Sequence, residues 1–177
     1  LRVLSPDHKP RAFEAGSGRL ELARSITTTA APLAARVFVN RVWGWHFGRP
    51  LVTTTSDFGA QGTRPTHPLL LDDLAAAFIA NGWSLKWLHR EILLSATYTQ
   101  SSHHRDEPAR TDPVNSWLWR FARRRVDFET WRDSILAVTG SLDTRPFGPS
   151  QAVDDLKNLR RTVYATVSRR RVSPLMR

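Results

Sequence analysis

The sequence predicts a mainly α fold: a multi-helix globular domain with long loops and at most a minor β element near the C-terminus. Three observations carry this expectation. Apolar residues recur at helical spacing in several segments, most clearly in 32–46 and 67–81. Those segments are bounded by residues that start and stop helices, such as Pro32, Pro68 and Gly48. Only one stretch, 161–167, alternates as a half-buried strand does. The chain has 177 residues, 41% of them hydrophobic, with seven Trp, which is enough to bury a core.

Taken in order, residues 1–16 carry Pro6, Pro10 and Gly16 and read as a linker arriving from an upstream part of a parent protein. A single helical domain is expected over 17–177. Its first helix starts near Ser17, a cap candidate, with Leu20, Ala23 and Ile26 on one face. Pro32 opens a second helix whose stripe of Leu33, Val37, Phe38, Val42 and Trp45 ends before Gly48. Residues 48–66 hold three Gly, two Pro and many Thr and form a long loop, with a short extended piece at 51–54. Loops of this length are uncommon in compact domains and often functional.

His67-Pro68 opens a third helix that Asn81-Gly82 ends, and Ser84 caps a fourth carrying Leu85, Leu88, Ile92 and Ala96. Residues 101–112 read as a polar loop and 113–121 as a short helix. Asp127 caps the last helix, with Trp131, Ile135 and Val138 aligned and Gly140 beyond them. The 161–167 strand has 51–54 as its one available partner.

Lys and Arg number 26 against 16 acids, a net charge of +10, and only Lys9, Lys86 and Lys157 among the bases are lysine. The absence of cysteine excludes disulfides, thiolate nucleophiles, zinc fingers and covalently attached haem within this stretch. No apolar run reaches the roughly 20 residues of a membrane helix.

The segments ARVFVNRVWGWHFGRPLVTTTSDFG, GTRPTHPLLLDDLAAAFIANGWSLKWLHREILLSATYTQSS and RRTVYATVSRRR, in this order, resemble domain of unknown function 1553. This domain is a C-terminal part of planctomycete-type cytochrome-associated proteins. The resemblance covers about residues 17–172. It implies a large exported bacterial parent, periplasmic or in the cell envelope, with an upstream uncharacterised domain as partner. It implies no cofactor in this chain, with haem c carried by an upstream module of the parent. Two departures stand out: the stretch between Gly140 and Arg160 is shorter than the family's habit, and the chain ends at Arg177, where family members continue.

The residues themselves offer one constellation, Asn40, His46, Asp57, His67 and Asp72, around the long loop. His46, Asp57, His67 and Asp72 are candidate metal ligands, and Asp57 and His67 candidate catalytic groups, because imidazole and carboxylate bind divalent ions and move protons. Their spacing matches no established metal signature. The competing structural reading makes Asp57 a turn residue before Phe58-Gly59, His67 an N-cap, and Asn40 a backbone clamp. A kinase reading of Asp57-Phe58-Gly59 fails for want of a glycine-rich loop and strand lysine, and no G-x-S-x-G elbow exists. His103-His104 reads as a solvated loop, and the seven Trp mostly as packing residues.

Arg123, Arg124, Arg125, Arg160, Arg161, Arg169, Arg170 and Arg171 form basic runs suited to a polyanion or a domain interface. Three functions follow, and whether the chain is an enzyme stays open among them. The first is an accessory domain that docks on a neighbouring domain of its parent through the long loop and the basic tail. The second is a metal-assisted hydrolase of an anionic extracellular polymer. The third, non-specific nucleic-acid binding through the C-terminal arginines, ranks last because export separates the chain from nucleic acid.

Overall fold

A computed structural model describes residue 9, residue 12, residues 16–168, residue 170 and residues 173–176. The fold is mainly α. Its helices are α1 (Arg19–Thr27), α2 (Ala31–Phe47), α3 (Pro68–Ala80), α4 (Leu85–Leu93), α5 (Ala96–Thr99), α6 (Asp106–Thr111) and α7 (Phe128–Val138). The chain forms two compact units, Leu1–Arg123 and Arg124–Arg177, each described by itself below.

In the first unit α2 and α3 pack together and α4 closes the core against both. Proline in the first turn starts α2 and α3, where its missing N–H costs no hydrogen bond. Ser84 accepts a hydrogen bond from Trp87 N–H at 3.3 Å and starts α4, as its position predicts. Gly48 ends α2 in left-handed backbone at φ 75°, and Gly82 follows α3 in the same region.

The buried face of α2 includes Val42 of the expected stripe but is turned away from the rest of it. Ala31, Ala35, Val39, Asn40, Val42, Trp43 and Phe47 point inward, while Leu33, Val37 and Phe38 are half-buried and Trp45 is 62% exposed. Small side chains at 31 and 35 let the backbone approach its neighbours, which a stripe of large apolar residues would prevent. Leu71, Ala75 and Phe78 of α3 with Leu88 and Ile92 of α4 complete this core, and Phe78 stacks on Phe38 at 5.5 Å.

Four sequence expectations are corrected here. Gly18, not Ser17, caps α1, in left-handed backbone and without a side-chain hydrogen bond. The fourth helix stops at Leu93, and Ser95 caps the separate turn α5 by accepting from Tyr98 N–H. Part of the polar 101–112 loop is helical, because Asp106 and Glu107 stand in the first turn of α6, where acids complement the exposed N–H groups. The 113–121 helix is absent. There the Asp112 carboxylate accepts from Ser116 and Trp117 N–H at 2.9 and 2.8 Å, and the Asn115 amide binds both backbone groups of Arg120. Side chains that bond the backbone this way replace helical hydrogen bonds.

In the second unit Asp127 caps α7, accepting from Thr130 N–H at 2.6 Å, and Gly140 lies just past its end. No strand forms over 161–167, nor over 51–54. Thr162 and Ala165 are the buried residues of the first stretch, three apart, and Thr162–Tyr164 is a 3-10 turn, whose repeat is three. Isolated parallel bridges join Asp143 to Arg160, just before the stretch, and Gln151 to Ala165 within it.

Polar bonding holds this unit. Arg132 donates to Arg160 O, Asn158 O and Thr162 Oγ1, while Asp133 accepts from Thr162 N and Oγ1 at 2.8 and 2.6 Å. None of the α7 residues is buried.

Candidate functional site

The long loop after α2 is built by its own polar groups. Leu51 and Val52 are buried at its root, where Asn40 receives them. The fully buried Asn40 amide accepts from Val52 N–H at 2.8 Å and donates to Val52 O at 3.0 Å. One side chain thus does for Val52 what a neighbouring strand would do. Thr66 N–H donates to Leu51 O at 3.0 Å and draws the far end of the loop to the same point.

Above that root the loop closes on itself. Thr54 Oγ1 donates to Asp57 O at 2.8 Å and accepts from Thr63 N–H at 3.0 Å. Asp57 Oδ1 accepts from Gly59 N–H at 2.8 Å, the turn its position before Phe58-Gly59 predicts. Gly62 passes so close to this turn that a Cβ there would lie 2.2 Å from Asp57 O. The outer face of α2 and the loop tip enclose an open cleft of about 520 Å³, with Leu33, Val37 and Phe58 as apolar surface and Arg41, Thr55, Ser56 and Asp57 beside it.

The five residues singled out by the sequence go to different places. Asn40 clamps the loop root and Asp57 shapes its tip. His67 stands before α3 with Nδ1 3.0 Å from Thr66 Oγ1, making no side-chain cap bond. Asp72 pairs with Arg36 at 2.9 Å on a partly exposed surface. His46 points to α4, where its Nε2 lies 2.7 Å from His89 Nδ1. Among the described residues, no three His, Asp or Glu side chains group so as to hold a metal ion. Asp57 is the one member of the constellation that reaches the cleft, and the sequence offers no local signal for Arg41 or for His89 as members of a site.

The basic runs are likewise divided. Arg160 donates to Pro149 O at 3.0 Å and to Phe147 O, and lies over the Tyr164 ring. Arg161 Nε sits 3.8 Å from Asp133 Oδ2. Arg123 donates to Ser102 Oγ at 3.3 Å, and Arg124, Arg125 and Arg170 are exposed. Arg169 and Arg171 lie outside the described residues. Of the tryptophans expected to pack, Trp43 is buried, Trp87 packs against the core and Trp83 meets Phe78 edge to face, while Trp45, Trp117 and Trp131 are exposed.

The family model of PSD1, a protein of unknown function (DUF1553), matches residues 18–177. The chain belongs to this family. No curated protein and no solved structure matches it. For this PSD1-family chain the match spans both compact units, so loop, cleft and polar C-terminal unit all fall inside the family's domain. No described helix is long and apolar enough to cross a membrane.

Proposed function

We propose that this chain is an accessory docking domain of a longer exported protein, and that the α2–loop cleft receives a segment of the neighbouring upstream domain. The supporting observation is the way the loop spends its polar groups. Thr54, Thr63 and the Asp57 Oδ1 atom are turned onto the loop's own backbone. The cleft presents half-buried apolar surface from Leu33, Val37 and Phe58, rimmed by Arg41, Thr55, Ser56 and Asp57. An apolar centre with a polar rim is the usual anatomy of a protein interface. A pre-bonded loop also loses little conformational entropy when it is covered, which favours association.

The test is hydrogen exchange on the intact parent protein and on the present chain alone. Backbone amides of 55–59 should exchange more slowly in the parent, and Arg41→Glu, a change at an exposed side chain beside the cleft, should reduce that difference without shifting the unfolding curve of the isolated chain. Equal exchange in both proteins would refute docking at this cleft.

A further inference from the structure

His46 and His89 come from different helices, α2 and α4, and meet with Nε2 and Nδ1 2.7 Å apart. Their rings stand nearly perpendicular, 73° between planes, and His46 also meets the Tyr98 ring edge to face. Two imidazole nitrogens facing each other share one hydrogen, so one lone pair is always directed at the other ring. We propose that this pair is a two-imidazole binding site for a borderline divalent metal ion, with Cu²⁺ preferred over Ni²⁺ and Zn²⁺.

The geometry is close to what an ion needs. Metal–imidazole bonds of about 2.0–2.1 Å put two nitrogens on one ion roughly 3 Å apart at a near-right angle. To share an ion the rings must part by a few tenths of an ångström and both turn, so that their lone pairs converge beside the N–N line instead of lying along it. Imidazole selects Cu²⁺, Ni²⁺ and Zn²⁺ over Mg²⁺ and Ca²⁺, which prefer oxygen, and the general order of affinity puts Cu²⁺ first.

Two protein ligands leave coordination positions open, and the surroundings say what fills them. His89 lines an open cleft of about 600 Å³ together with Lys86, Arg90, Leu93 and Leu94. Water enters such a cleft freely. Lys86 and Arg90 repel the bare cation, so an anionic co-ligand, a carboxylate or phosphate, is needed on the ion to offset them. The site is separate from the α2–loop cleft and does not rest on the docking reading.

The test is a titration of the purified chain with CuCl₂ and, separately, NiCl₂, ZnCl₂ and MgCl₂, followed by calorimetry and by electron paramagnetic resonance of the Cu²⁺ form. The expected result is one saturable Cu²⁺ site whose spectrum shows two coordinated nitrogens, with no binding of Mg²⁺. His46→Ala and His89→Ala should each weaken Cu²⁺ binding at least about tenfold, the scale on which even outer supporting residues act. The double variant His103→Ala/His104→Ala, which removes the exposed loop histidines, should leave it unchanged. Loss of binding in the loop variant instead, or a wild-type spectrum with fewer than two nitrogens, would overturn the assignment. If a histidine variant fails to fold, the spectrum of the His103→Ala/His104→Ala variant decides the matter: two nitrogens retained there support the pair, and their loss overturns it.

Discussion

Replacing Asn40 by alanine tests the construction of the loop most directly. Asn40 is fully buried and its amide makes both backbone hydrogen bonds of Val52, itself buried. Alanine removes both partners and leaves an N–H and a carbonyl without replacements in the interior. Each such group costs about 1–3 kcal/mol, so the loss should be about 2–6 kcal/mol. For a chain of this length that corresponds to a fall in Tm of roughly 4–24 °C, at about 2–4 °C per kcal/mol. Asn40→Asp should be no milder: the carboxylate still accepts from Val52 N–H but sets a buried negative charge against Val52 O. Urea unfolding followed by tryptophan fluorescence measures the loss, and limited proteolysis under native conditions should show new cleavage within 53–63. If Asn40→Ala stays within about 0.5 kcal/mol of the parent chain, the amide is not the fastener of this loop.

Gly62→Ala should destabilise by about 1–3 kcal/mol and free the loop tip, since its Cβ would overlap Asp57 O, and the same urea and protease measurements apply. Asp57→Ala should cost only about 0.5–1.5 kcal/mol, the worth of one hydrogen bond to Gly59, and EDTA should leave its melting curve and that of His67→Ala unmoved. A divalent-ion shift that both variants abolish would instead establish them as ligands. The Arg145 guanidinium and backbone N–H, bonded to Asp143, hold that carboxyl down to about 2 from 3.8. A depressed carboxyl stabilises the folded state above the unfolded value and loses that contribution as pH falls from about 4 to about 2. Carbon-13 NMR of the Asp143 carboxyl should show the low midpoint in the native chain and a higher one in Arg145→Gln, still below the ordinary value because the backbone N–H at 145 remains.

What the sequence made legible was local. Proline at the starts of α2 and α3, Ser84 and Asp127 as caps, and glycine at the stops all act within a turn of chain, so their effect survives any tertiary arrangement. The strand at 161–167 failed for an instructive reason. Alternation in a short polar stretch resembles a three-residue repeat, and only the burial of Thr162 and Ala165 separates the two. The 113–121 helix failed because Asp112 and Asn115 bond their own neighbourhood, which a count of apolar positions does not register. The inner face of α2 is not legible from apolar size, because close packing favours Ala31 and Ala35 over larger apolar residues.

The candidate site shows the same division. Asp57 in a turn and Asn40 on backbone were readable as alternatives to metal ligation, because each role needs only a short polar side chain beside a loop. Naming Val52 as the partner of Asn40 required the fold, since α2 has to end and the chain to reverse before Val52 returns to it. His46 shows the limit most sharply. Its sequence neighbours offer carboxylates and His67, yet its imidazole meets His89, 43 positions away on another helix. Helix α2 ends at Phe47, so His46 sits in its last turn, and α4 packs against α2 through Leu88, the residue next to His89. The pairing is therefore a consequence of core packing. A variant that shifts that packing without touching either imidazole, such as Leu88→Ala, should weaken Cu²⁺ binding in calorimetry while leaving the Asn40 clamp and its protease resistance in place. Cu²⁺ affinity unchanged in Leu88→Ala would mean that the two rings find each other independently of the core.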